Sequence, residues 1–196
     1  MLNLETAYSE KFFARRKSLM WRAGVLCPAI RKILRPKQVI DIGCAIGDFV
    51  QWFNKHKIDA YGLEGSTQVI PHLVCGKDRV FFCDLRKEIL TPTQFDLALC
   101  IEVAEHIEEK YADCFVANLC RLAPRIFLTA AGPGQGGHYH VNLQQRAYWL
   151  NKFAQQGYKN NEDVETELRK VIPINHRWLL AIHSNLIYLE RTNDLS

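Results

Sequence analysis

Eight consecutive residues, Asp41-Ile42-Gly43-Cys44-Ala45-Ile46-Gly47-Asp48, put two glycines and two carboxylates directly after a short apolar run. Glycines at such a turn let the backbone approach a ligand and adopt dihedrals that other residues resist. A dinucleotide loop needs the spacing GxGxxG. Here those three positions hold Gly43, Ala45 and Asp48. A carboxylate opening the next helix opposes a pyrophosphate, because that helix end receives anions. Two more acids follow at the ends of apolar runs. Tyr61-Gly62-Leu63-Glu64-Gly65 puts Glu64 17 residues after Gly47, where a carboxylate can accept both hydroxyls of a ribose. Phe82-Cys83-Asp84-Leu85 puts Asp84 where it can receive an adenine amino group.

These charges suit an adenosine without phosphate that carries cationic groups. S-adenosylmethionine, with its sulfonium and its ammonium, has that pattern, and Asp41 can face the ammonium. Three histidines are placed for acid–base work near neutral pH: His106, in Glu102-Val103-Ala104-Glu105-His106, and His138 and His140, beside the glycine-rich stretch 132–137. Glu102, Glu105 and His106 are spaced i, i+3, i+4, so a helix would present all three on one face. Two carboxylates and an imidazole suit a divalent ion such as Mg²⁺. Tyr139, Tyr148 and Trp149 are available to line an acceptor pocket, although the spacing of Tyr148, Trp149 and Phe153 better fits packing on a sheet.

The elements that must carry these residues alternate between strand-like and helical patterns, which argues for a parallel α/β sheet. A helical region is expected over about 5–34. Strands are expected near 38–42, 59–63, 79–83, 95–101, 125–129 and 186–190. Helices are expected from Gly47, from Ser66, and over 110–122, 144–156 and 162–171. Trp178 is expected in the core.

At this point the chain resembles class I S-adenosylmethionine-dependent methyltransferases, by ordered motifs over about residues 36–130. Phe95-Asp96-Leu97-Ala98-Leu99-Cys100-Ile101-Glu102-Val103-Ala104-Glu105-His106-Ile107 is similar to the fourth motif of their small-molecule branch, which includes ubiquinone-biosynthesis O-methyltransferases. The resemblance implies a single Rossmann-like domain: a mostly parallel seven-stranded sheet flanked by helices over 36–196, with an N-terminal helical cap over 1–35. It implies that Asp41, Gly43, Gly47, Glu64 and Asp84 bind the cofactor, with Cys44, Gly65, Leu85, Ile101 and Glu102 beside them. Ala45 departs from the glycine usual there. The Glu-x-x-Glu-His arrangement with a later histidine also resembles the metal site of small-RNA 2′-O-methyltransferases.

Composition bounds the rest. The 196 residues suit one domain. No stretch approaches the ~20 apolar residues of a membrane span, and residues 1–5 lack a secretory pattern. The seven cysteines include no CxxC pair, and reduced thiols in a cytoplasmic protein are expected. Nine basic residues against Glu5 and Glu10 within 1–37 fit a solvated helix face, or alternatively a positive rim that attracts an anionic acceptor such as a phosphorylated metabolite, nucleotide sugar or RNA.

The expected activity is O-methylation of a small polar hydroxylated acceptor with a histidine base, His106, His138 or His140. The alternatives are metal-assisted RNA 2′-O-methylation through Glu102, Glu105, His106 and His140, a non-catalytic partner subunit, and, more remotely, an NAD-dependent reductase. The leading assignment predicts that Glu64→Ala weakens cofactor binding, whereas His140→Ala spares it and slows turnover. Calorimetry and label-transfer rates on the two variants check this, and an unchanged rate in His140→Ala contradicts the role given to that histidine.

Overall fold

The computed structural model describes residues 4–90 and 94–192. Residues 1–3, on which the secretory pattern is partly judged, and 193–196, the end of the expected domain, lie outside them.

Strand β1 (Gln38–Ile42) is buried over its last four residues. Such a run fits a strand covered on both faces by helices. Its side chains alternate. Ile40 and Ile42 join Ala98, Cys100, Ile126 and Leu128 on one face of the sheet, while Val39 joins Leu97, Leu99 and Phe127 on the other. On the first face pack α5 (Ala112–Leu122), through Phe115 and Leu119, and α6 (Arg146–Ala154), through Trp149 and Phe153. On the second pack α3 (Trp21–Leu34), α4 (Asp48–Lys55), α7 (Glu162–Val171) and α8 (Arg177–Asn185).

The remaining strands are β2 (Asp59–Glu64), β3 (Val80–Phe82), β4 (Leu97–Ile101), β5 (Arg125–Thr129), β6 (Tyr158–Asn160) and β7 (Ile187–Arg191). The sheet order is β3-β2-β1-β4-β5-β7-β6. β7 runs antiparallel to both its neighbours, and the other pairings are parallel. The expected seven-stranded, mostly parallel α/β sheet is therefore present. From β1 the chain moves outward to β2 and β3, then returns to β4 on β1's other side. The switch in direction between β1 and β4 opens a crevice at their carboxyl ends.

Several boundaries differ from the sequence expectation. The N-terminal helical region is three helices: α1 (Leu4–Ala7), α2 (Glu10–Arg16) and α3, with a 3-10 turn between the last two. Residues from Ser66 form only a 3-10 stretch over Thr67–His72, which contains Pro71. β6 and α8 have no counterpart in the sequence reading. No helix among the described residues is long and apolar enough to cross a membrane.

Candidate functional site

At the switch point lies a cleft enclosing about 1070 Å³ of empty space, part of it open to solvent. Asp41, Gly43, Cys44, Glu64 and Gly65 line it from β1 and β2. Asp84, Leu85, Ile101 and Glu102 line it from beyond β3 and from the end of β4. Gly47 shapes the turn from behind. It caps α4 with φ 74°, and a Cβ there would collide with Cys75 Sγ. A Cβ on Gly43, at φ 69°, would lie 2.7 Å from Val103 Cγ2. Ala45 takes a left-handed φ of 46°, which costs an L-residue roughly 1–2 kcal/mol.

The Glu64 carboxyl holds that loop in place. Its Oε2 accepts the Ala45 N–H at 2.9 Å, and its Oε1 accepts those of Gly65 at 2.8 Å and Ser66 at 2.9 Å. A carboxylate has about four acceptor sites, so one on Oε2 remains for a ligand hydroxyl. Asp84 is gripped by Arg86, whose Nε lies 2.8 Å from Oδ1 and whose Nη2 lies 2.9 Å from Oδ2; Arg86 also pairs with Glu108 at 3.3 Å. Arg86 holds the Asp84 carboxyl below its usual pKa.

Asp41 is only 5% exposed. Burial, reinforced by Asp48, raises its pKa well above the carboxylate range, and Arg16 opposes the shift. No hydrogen bond to its carboxyl relieves that burial among the described residues. A buried carboxyl facing a cleft in this state fits an incoming ammonium. The residues present therefore fit the sulfonium cofactor, with Asp41 for its amino-acid end and Glu64 for its ribose.

Besides Arg86, two arginines reach the same cleft, Arg16 from α2 and Arg22 from α3. The Arg22 guanidinium lies 4.6 Å from the Trp178 ring, and its Nε is buried without a hydrogen-bond partner. Burial brings its pKa down to about 10. Trp178, expected in the core, packs against it as a partly buried residue and also lines the cleft. Tyr8, Phe12 and Phe13 of the N-terminal segment also line it. The sequence reading assigned these residues no site role; the excess of cations before β1 was the one signal for the arginines.

The acid–base cluster differs from its expected form. Glu102 has φ 55°, which breaks the right-handed run a helix needs, and only Ala104–His106 forms a 3-10 turn. Helical spacing therefore does not align Glu102, Glu105 and His106. Glu105, His106 and His140 nevertheless converge, each offering a ligand atom within 4.8 Å of the others. Glu102 stands outside that set and accepts a bond from Asn185 Nδ2 at 3.4 Å. Glu105 is fully buried, and neither of its side-chain oxygens has a hydrogen-bond partner. Burial, then the charge of Glu102, pushes its pKa up to about 8.

The three histidines do different things. His106 Nδ1 lies 3.1 Å from the Tyr139 carbonyl. A carbonyl only accepts, so Nδ1 carries the proton and Nε2 keeps its lone pair. Burial lowers the His106 pKa to about 4, so the ring is neutral near pH 7, and it lines the cleft. His140 donates from Nδ1 to the Gln135 carbonyl at 2.9 Å, and its Nε2 lies 3.9 Å from Glu105 Oε1. Its ring meets His106 edge to face, with centroids 5.0 Å apart. His138 donates from Nε2 to the Ala7 carbonyl at 2.8 Å and stacks on Phe12. It ties the glycine-rich loop to the N-terminal segment. Tyr148 and Trp149 do not line the cleft, and Trp149 lies in the core.

A family model described as a methyltransferase domain matches residues 19–124. No curated protein matches the sequence. Among solved structures, the sugar N-methyltransferase KedS8 from Streptoalloteichus sp. ATCC 53650 is 15% identical, with 86% of each chain covered and a TM-score of 0.64. Magnesium protoporphyrin IX methyltransferase from Synechocystis PCC 6803, crystallised with bound SAH, is 13% identical over 87% of this chain and 84% of that one, with a TM-score of 0.62. The methyltransferase domain of bacterial CtHen1 is 21% identical over 71% and 86%, with a TM-score of 0.56.

Two outcomes follow from the geometry. Ala45→Gly should hold or raise the thermal midpoint, whereas Gly47→Ala should lower it and weaken cofactor binding; thermal melts with and without S-adenosylhomocysteine compare them, and equal effects would contradict the loop geometry. In metal-free protein, Glu105 keeps its proton up to about pH 8, whereas the unfolded chain loses it near 4.5. Stability from this group is therefore lost as pH rises between those values. His106 acts in the opposite sense, from 6.5 down to about 4. The melting temperature should fall between pH 6.5 and 8, and Glu105→Gln should flatten that fall. An unaltered slope in the variant would remove Glu105 as its source.

Proposed function

The chain belongs to the methyltransferase-domain family and is an S-adenosylmethionine-dependent enzyme, and from that premise we propose that it O-methylates a small polar hydroxylated acceptor, a sugar or similar metabolite, with His106 as general base. The non-catalytic subunit and the NAD-dependent reductase are set aside with the family. The observation that carries the proposal is the position and state of His106. It is neutral, its bare Nε2 belongs to a ring that lines the cleft, and Tyr139 fixes its tautomer.

When bound, the cofactor supplies a methyl carbon already activated by its sulfonium. The chain's own contribution is placement and proton removal. Asp41 would hold the ammonium of the cofactor, Arg22 its carboxylate, and Glu64 a ribose hydroxyl. Cys44, Gly65, Leu85 and Ile101 would form the surrounding walls, and Asp84, held by Arg86, would border the adenine. His106 receives the acceptor proton at Nε2, with His140 behind it steadying the ring. His138 positions the loop against the N-terminal segment, and of the cap expected over 1–35 it is Leu4, Tyr8, Phe12, Phe13, Arg16 and Arg22 that line the cleft and would close its acceptor side. Holding two reactants in line supplies ~7–11 kcal/mol, and a positioned base adds roughly 10²–10⁴-fold. The free thiols of all seven cysteines accord with a cytoplasmic location.

One observation favours a second reading, metal-assisted methylation of an RNA 2′-hydroxyl. Glu105 has two buried, unpartnered oxygens beside His106 and His140, and a divalent cation would satisfy them in place of a proton. The CtHen1 methyltransferase domain is among the structural neighbours.

Transfer of a labelled methyl group into fractionated metabolite pools and into RNA, with and without chelator, separates the two. The first reading expects label in a small hydroxylated product without metal. With that acceptor, His106→Ala should lower kcat by roughly 10²–10⁴-fold and leave S-adenosylhomocysteine affinity nearly unchanged. Label confined to RNA, and only with Mg²⁺ or Mn²⁺, would replace it with the second. An unaffected kcat would remove His106 as the base.

A further inference from the structure

A second concave surface lies at the edge of the sheet opposite the cleft. The 14-residue helix α3 runs about 21 Å from the cleft down to the start of β1, and α4 descends in the same direction to the start of β2. Their C-terminal ends enclose a groove lined by Pro28, Arg31, Lys32, Arg35, Trp52 and His56.

No acid among the described residues lines this groove. Between residues 20 and 58 the only acids are Asp41 and Asp48, and both face the cleft at the other edge. The acids near the groove's edge are engaged elsewhere. Asp59 pairs with Arg79 at 2.6 Å. Asp96 pairs with Arg125 at 3.3 Å and accepts the Lys37 N–H at 2.7 Å. α7 also packs on α3, but its Glu165 is buried against Arg146 and Arg169, and its Glu167 pairs with Lys170. Glu162 and Asp163 open α7 and form no ion pair with the groove cations.

Two backbone positions point the same way. α3 ends on Arg35 at φ 46°, and the chain after α4 turns through Lys57 at φ 61°. Helix ends favour glycine in this left-handed conformation. At this edge both positions carry a cation despite the strain.

The groove also has an aromatic wall. Trp52 and His56 stack with centroids 3.7 Å apart and planes at 18°. His56 Nδ1 donates to the Trp52 carbonyl at 2.7 Å, which fixes the ring. Cations along a groove beside stacked rings are the chemistry of single-stranded nucleic acid. A lipid surface would need apolar anchors, and the exposed large apolar residues, such as Trp21, Phe81, Ile174 and Leu180, lie outside the groove. An acidic peptide would use the cations and leave the rings idle.

We infer that this groove binds single-stranded nucleic acid, with Arg31, Lys32, Arg35 and Lys57 on the phosphodiester backbone and the Trp52–His56 wall beside the bases. It is remote from the cleft and does not depend on which acceptor is methylated.

The test titrates fluorescent oligo(U) and oligo(dT) of about 12 nucleotides into the full chain across a salt series. Arg31→Glu/Lys32→Glu and Arg35→Gly/Lys57→Gly are run beside it. Binding of either oligomer, with a linear dependence of log affinity on log salt, supports the inference, and the pair distinguishes ribose from deoxyribose. Each double variant should bind roughly tenfold or more weakly, and for Arg35→Gly/Lys57→Gly the salt slope should be shallower by about 1.4. That variant should melt no lower than the parent, because glycine suits both positions, and both variants should bind S-adenosylhomocysteine as the parent does. The inference is overturned if no oligomer binds at low salt or if both variants bind as the parent does. It is equally overturned if poly-glutamate, anionic vesicles or duplex bind as tightly as the single strand.

Discussion

Glu64 accepts three backbone N–H bonds from two loops, one after β1 and one after β2, and the shape of the cleft depends on those bonds. They hold Ala45 in its left-handed conformation and keep the β1 loop low enough for Asp41 to face the opening. They also leave one acceptor site of the carboxyl directed at a ligand. The switch in strand order makes the crevice; this carboxyl makes it a shaped site. Gly43 and Gly47 then allow Val103 and Cys75 to pack where side chains would otherwise stand.

A second constraint is charge. Asp41, Asp48 and Glu64 are all buried at the cleft, and burial raises the pKa of each. Such a group is stable as a neutral acid or beside a cation. Among the described residues, Arg16 and Arg22 form no ion pair with any of the three, and Arg22 itself is partly desolvated on Trp178. An amino acid with both an ammonium and a carboxylate answers both needs, which is why the methionine end of the cofactor suits this end of the cleft. On the other side, His106 is held neutral by burial and oriented by the Tyr139 carbonyl, on a wall apart from these acids.

Much of this was legible in the sequence because it is local. Asp41, Gly43 and Glu64 lie where β1 and β2 end, and strand ends can be read from short apolar runs. Arg22 against Trp178 and Arg86 on Asp84 were not legible. The first pair joins residues more than 150 positions apart, and the second depends on a loop conformation. The helical alignment of Glu102, Glu105 and His106 failed for a local reason: Glu102 leaves β4 with a positive φ, and spacing alone does not reveal that. Glu105, His106 and His140 meet all the same, because the Glu105 carbonyl accepts the N–H groups of Val141 and Asn142 and draws the later loop in. β6, three residues with one buried side chain, is too short to show a period.

The central claim is that a buried Asp41 carboxyl awaits the ammonium of the cofactor. Titration calorimetry of S-adenosylhomocysteine in buffers of different ionisation enthalpy tests it most directly, because burial raises the Asp41 pKa in the empty cleft and an arriving ammonium lowers it again, which favours proton release on binding. The account predicts binding with net proton release for the parent chain, and weaker binding without that release for Asp41→Asn. Absence of binding, or binding with the same proton count in both chains, would contradict it.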